Sequence, residues 1–176
     1  MSDRKYAFSW ELLGDIDLGR PNLGNLMRLE LYRIMQFTLR DVLEQNFGTQ
    51  KTDEIFRQAG RLAGKAFAEH IIGPVTDFNE FIRKTQQVLR DMQVGILRVE
   101  EADPEQGRFI LVVEEDLNCS GLPELDFETC KYDEGFLAAI LEQYTGRPYN
   151  VQEIECWCTG GRACRFAARA VKDGDN

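Results

Sequence analysis

Five cysteines, Cys119, Cys130, Cys156, Cys158 and Cys164, all stand in the last third of this 176-residue chain. Cys156 and Cys164 flank Thr159-Gly160-Gly161, so a hairpin turning there would bring their sulfurs together. Cys130 opens a predicted helix and Cys119 sits in the loop before it. Four thiolates from a loop, a helix start and two hairpin arms can enclose a tetrahedral ion. Zinc suits four sulfurs, or three with one carboxylate. The spacing matches none of the CxxC-paired zinc patterns, so two other outcomes stay open. The thiols can pack as small apolar groups, or Cys156 and Cys164 can form a disulfide. Cys158, two residues from Cys156, reads as a bystander.

Catalytic chemistry has little to draw on. The single histidine, His70, falls near the end of a predicted helix, where it reads as a helix-terminal or pocket-lining residue. Glu114-Glu115-Asp116 reads as a solvated strand end. No GxSxG, HExxH or dinucleotide fingerprint is present, so no catalytic residue and no flavin or nicotinamide site is expected. Gly19-Arg20-Pro21-Asn22-Leu23-Gly24 lacks the GK[ST] ending of a phosphate loop and reads as a turn before a helix.

The elements that must position the cysteines follow from periodicity. Residues 1–24 form an arm and loop, in which Phe8, Trp10 and Leu12 alternate like a short strand. A helix over 25–47, stopped at Gly48, is apolar on more than one face, which fits a central helix or one half buried in a dimer interface. A second helix over 52–72 carries Gly60 and Gly64, which either permit close helix packing or leave room for a ligand. A third spans 77–92. Strands over 94–99 and 109–113, a helix over 130–144 and strands over 149–157 and 162–168 follow. Helices followed by hairpin-linked strands predict an α+β fold, with long N-terminal helices packed on an antiparallel sheet and the C-terminal hairpin pinned by zinc. One domain over 25–170 is expected, with 171–176 a polar tail.

Composition bounds the partners. Lys plus Arg is 21 and Asp plus Glu is 30, a net charge of −9, which disfavours direct nucleic-acid binding and anionic membranes. No apolar run reaches the ~20 residues of a membrane span. Met1-Ser2-Asp3-Arg4-Lys5-Tyr6 has no signal-like apolar run, so a cytoplasmic chain with reduced thiols is expected.

The motif Glu153-x2-Cys156-x3-Gly160-x3-Cys164-x-Phe166, preceded by Cys130, Gly135-Phe136 and Gly146-Arg147, resembles the 4-vinyl reductase domain family. That family includes a protein of bacteriochlorophyll biosynthesis, aromatic-sensing input domains and archaeal hydrocarbon-binding proteins. Its fold is similar to that of the palmitate-binding subunits of the TRAPP tethering complex. The resemblance implies an α+β unit that dimerises through its long helices and encloses an apolar cavity. It also implies a zinc held by three cysteines and a glutamate. The cysteines carry over onto Cys130, Cys156 and Cys164, while Cys119 and Glu115 compete for the fourth place, with Cys119 favoured. A site closed by four protein ligands would be structural.

The implied function is a hydrophobic or aromatic small-molecule binding module, acting as a sensor or carrier. Its cavity would be lined by Tyr32, Met35, Phe37, Gly60, Gly64, Phe67, His70 and Phe81. A sensor's signal would leave through a homodimer interface or a separate protein partner. Two alternatives come with the resemblance: an enzyme or accessory of tetrapyrrole vinyl reduction, and a TRAPP-like interaction scaffold.

Overall fold

A computed structural model describes residues 5–171. Met1 to Arg4 of the arm and residues 172–176 of the tail lie outside the described residues. Among the described residues the arm forms no strand. Trp10–Leu13 makes a 3-10 turn and Ile16–Gly19 a single helical turn (α1), whose start is capped by Asp15 accepting from the Leu18 amide. The alternation of Phe8, Trp10 and Leu12 therefore does not make a strand: no neighbouring strand is there to complete a ladder.

The long helical stretch Leu29–Phe67 (α2) starts four residues later than the periodicity suggests and is broken at Gly48. Gly48 has φ 76° and ψ 163°, a conformation open essentially to glycine alone. Helical geometry resumes directly after it, ahead of the expected Thr52. The two halves fold back on each other. In a straight helix Arg40 and Asp53 would be about 20 Å apart, yet the Arg40 guanidinium donates to Asp53 Oδ1 at 2.6 Å and sits 5.5 Å from the Phe56 ring centre. After Phe67 the backbone widens into a π-helical turn over Ala68–Ile72, closed by Gly73 at φ 69°.

The helix Phe78–Asp91 (α3) is capped by Asp77, which accepts from the Glu80 amide, and buries Phe81, Thr85 and Leu89 at four-residue spacing. Strands Ile96–Asp103 (β1) and Arg108–Glu114 (β2) form a hairpin. The helix Lys131–Thr145 (α4) follows and ends on Gly146 in the left-handed region. Strands Tyr149–Glu155 (β3) and Cys164–Ala170 (β4) make the second hairpin. The first arm ends two residues earlier than expected and the second starts two residues later, because residues 157–159 form a 3-10 turn inside the connection. The four strands form one antiparallel sheet in the order β1-β2-β4-β3.

The fold class is therefore α+β, as the element order predicts. Period-two alternation sends Phe109, Leu111 and Val113 of β2 and Cys164, Phe166 and Ala168 of β4 to one buried face. Leu111 lies opposite Phe166, and Val113 opposite Cys164. The core on this face also takes Ile72, Phe81, Leu89, Leu137 and Leu141 from the helices. No helix among the described residues is long and apolar enough to cross a membrane.

Candidate metal centre

Four of the five cysteines meet. Register carries Cys164 to the start of β4, opposite Val113. Cys156 directly follows β3, whose last paired residue is Glu155, and Cys130 is the N-cap of α4. Cys119 is brought in by the loop after β2. That loop is held by Asp116, whose Oδ1 accepts from the Asn118 amide at 2.7 Å and the Cys119 amide at 3.2 Å. The sulfurs of Cys119, Cys130, Cys156 and Cys164 all lie within 4.8 Å of one another, and all four residues are fully buried. Cys130 Sγ is 3.9 Å from Cys156 Sγ and 3.7 Å from Cys164 Sγ, and Cys119 Sγ is 3.0 Å from Cys164 Sγ. Metal–sulfur bonds of about 2.3 Å in a tetrahedron put sulfurs about 3.8 Å apart. Two of these separations match that edge and the third is shorter.

No disulfide links the cysteines. Cys158 lies outside the set, although it is just as buried, and sits 3.5 Å from the Thr129 hydroxyl. Glu115 is exposed with φ 51° on the turn leaving β2 and is not in the cluster, so between the two candidates the geometry brings Cys119.

Carboxylates surround the thiols, and this the sequence reading largely missed. Glu153 Oε2 accepts from the Cys130 amide at 3.3 Å, while its Oε1 is buried with no hydrogen-bond partner. The alternation of Tyr149, Val151 and Glu153 would have predicted its inward direction. Asp133 accepts from Asn118 Nδ2 at 2.9 and 2.8 Å. Asp116 is buried and not solvated, contrary to the reading of residues 114–116 as an exposed strand end. Burial pushes Asp116 up to about 6 and Glu153 up to about 8, and drives Asp133 well above the usual carboxylate range. Hydrogen bonding with Cys119, Cys130 and Cys164 pulls the Cys156 thiol far down. Hydrogen bonding with Cys119 and the other two drives Cys130 far up. Four buried sulfurs and an unpartnered carboxylate oxygen beside them make a donor set that fits a soft or borderline divalent ion.

One further acid ties the site to the helices. Glu134 Oε2 pairs with Arg57 Nε at 2.5 Å, and its Oε1 accepts from Lys131 Nζ at 3.1 Å and the Glu153 amide at 3.0 Å. Removing that carboxylate would leave the buried Glu153 amide without this acceptor and Lys131 with only its longer contact to Glu128 at 3.8 Å.

The eight residues expected to line one ligand cavity are dispersed. Tyr32 donates to Asn118 Oδ1 at 2.7 Å, Phe37 is half-buried on the same helix, and Met35 is 61% exposed. Gly60 and Gly64 do not face open space. A Cβ on Gly60 would overlap Tyr132 O, and one on Gly64 would overlap Phe136 O, so close helix packing is their role. Phe67 packs edge-on against Phe136 at 5.2 Å in the core. His70 is exposed and stacks on Trp10 at 4.8 Å. Phe81 stacks on Tyr144 at 4.3 Å. It is the one member of the eight that lines a cleft of about 380 Å3, with Ala68, Ile72, Val75 and Tyr144.

Residues 109–170 match the V4R domain. Over 147 residues, 84% of this chain and 78% of the relative, the chain is 24% identical to an uncharacterized protein of Methanocaldococcus jannaschii. The fold is similar to the phenol-responsive sensory domain of the transcription activator PoxR, with phenol, at a TM-score of 0.63. That match has 15% identity and covers 83% of this chain and 76% of that one. It is also similar to a trafficking protein particle complex subunit 3 from Naegleria fowleri covalently bound to palmitic acid. There the TM-score is 0.65 and the identity 11%, covering 82% of this chain and 95% of that one.

Proposed function

Residues 109–170 are a V4R domain, and from that premise we propose that the chain is a small-molecule binding module, a sensor or carrier for an apolar or aromatic ligand. In this reading a structural zinc braces the module and it works as a homodimer. The observation that carries the metal is the meeting of Cys119, Cys130, Cys156 and Cys164, four residues far apart in sequence, within one buried 4.8 Å cluster. Four protein ligands leave no open position for water, so the ion would hold the loop after β2, the start of α4 and the β3–β4 hairpin together. Glu153 would stand beside the ligands, its Oε2 on the Cys130 amide.

The ligand reading draws on the similarity to a phenol-responsive sensory domain and a palmitate-bound subunit. The cleft at the π-helical turn, with the Phe81–Tyr144 stack beside it, is the place that fits such a ligand. Tyr144 donates to Thr76 O at 3.3 Å across its wall, so its hydroxyl is at hand for a polar group. The homodimer reading draws on the exposed apolar stripe of α2.

Native mass spectrometry of the freshly reduced protein tests all three elements at once. The expected species is a dimer of the 20.2 kDa chain with about one zinc per chain, and added phenol or a fatty acid should bind. A zinc-free monomer that takes up neither ligand would defeat the proposal.

A further inference from the structure

The first half of α2 is amphipathic in the wrong sense for a helix of a lone chain. Leu31, Ile34, Met35, Leu39 and Val42 share one stripe at helical spacing, and each is 53–61% exposed. The opposite face carries Arg33, Gln36 and Arg40, of which Gln36 and Arg40 are buried. Among the described residues, none from 29 to 47 belongs to the hydrophobic core cluster or packs against it. What this half-helix does hold is the thiol-bearing loop. Arg33 Nε donates to Leu117 O at 2.8 Å, and its Nη2 donates to Ser120 O at 2.9 Å and Asp116 O at 3.4 Å. Tyr32 reaches Asn118, which in turn grips Asp133 on α4. Cys119 lies in the middle of this loop, its sulfur on the cluster.

We propose that Tyr32 and Arg33 couple the four-thiol site to self-association: filling the site orders the loop over 116–120, and the loop sets where α2 presents its apolar stripe to a second copy. The second copy is the occupant because the stripe is uncharged in a chain of net charge −9. Two acidic copies can meet there with least repulsion, and an isologous contact pairs the same stripe on both. The stripe and neighbouring exposed side chains such as Leu26 and Met27 offer on the order of the ~800 Å2 per partner that a stable interface uses. Linkage is reciprocal: if the metal favours the dimer, the dimer tightens the metal. The inference rests on the zinc and homodimer reading above.

The test is sedimentation equilibrium of the full chain, reduced, with and without one equivalent of zinc, with metal content measured on the same samples. Coupling predicts a dimer dissociation constant about tenfold lower with zinc in the wild type. Arg33→Ala should still bind one zinc but lose most of that response. Tyr32→Phe, which removes a single hydroxyl, should lose part of it and guards against a fold defect in the arginine variant. Wild-type protein that binds zinc yet associates equally with and without it, or stays monomeric in both, overturns the coupling and leaves the metal reading standing. So does Arg33→Ala responding to zinc like wild type. Protein that takes up no zinc overturns the metal reading and the coupling with it.

Discussion

Acids and thiols packed around one point make the protonation state of this site unusual. Asp116, Asp133 and Glu153 lose hydration on folding and gain too few donors to compensate, so their neutral forms are favoured in the fold. For an acid whose folded value is raised, stability is fully present below the unfolded value. It is lost as pH rises through the folded one. With Asp116 pushed to about 6 and Glu153 to about 8, the metal-free protein should lose stability as pH rises from about 4 to about 8. Zinc reverses the sign, because its ligands must shed protons and so bind more tightly as pH rises. Thermal melts across that range should therefore run in opposite directions for metal-free and zinc-loaded protein. Parallel profiles would show that the acids do not face a metal site. Cys158, buried but outside the cluster, should be replaceable by alanine without loss of zinc, whereas Cys156→Ser should abolish stoichiometric binding.

At the scale of elements, the contact between the second half of α2 and α4 depends on missing side chains. Gly60 and Gly64 of α2 and Gly135 of α4 each face the other helix's backbone, and a Cβ on any of them would overlap a carbonyl oxygen. Backbone cannot give way as a flexible side chain would, so Gly64→Ala should cost at least about 2 kcal/mol. Gly19→Ala, where a Cβ meets nothing within 4 Å, should stay within about 0.5 kcal/mol of wild type. Denaturant unfolding measures both, and a neutral Gly64→Ala would return that glycine to the ligand-cavity reading. Gly-x3-Gly spacing was visible in the sequence, but its two readings could be separated only by what lies across the contact. The break at Gly48 was legible for a simpler reason: glycine alone tolerates its backbone angles.

For the whole molecule, charge and apolar surface pull against each other. Each copy carries −9, yet the arm and α2 expose Leu18, Leu23, Leu26, Met27 and the α2 stripe. If these surfaces meet in a dimer, repulsion between the two acidic bodies opposes association and salt relieves it. The Debye length falls from about 30 Å at 0.01 M salt to about 8 Å at 0.15 M. Dimerisation measured by sedimentation should strengthen over that range. Weakening with salt would mean that ion pairs, not the apolar stripe, hold the copies together.

What the sequence by itself determined was local: the break at Gly48, the alternating strands, and the hairpin that carries Cys156 to Cys164. These follow from backbone angles and periodicity, which a segment carries within itself. Cys158 stands apart from the other thiols because the chain leaves the strand in a 3-10 turn over 157–159, whereas strand alternation would have pointed it the same way as Cys156, two residues earlier. Only the tertiary structure decided which residue joins Cys130, Cys156 and Cys164. The choice of Cys119 over Glu115 turns on an Asp116-held loop whose path no spacing rule encodes. It likewise dispersed the expected cavity residues, turned two glycines into a helix contact and buried a ring of carboxylates beside the sulfurs. Those outcomes depend on what lies across from each side chain, and periodicity within one segment carries no information about its neighbour.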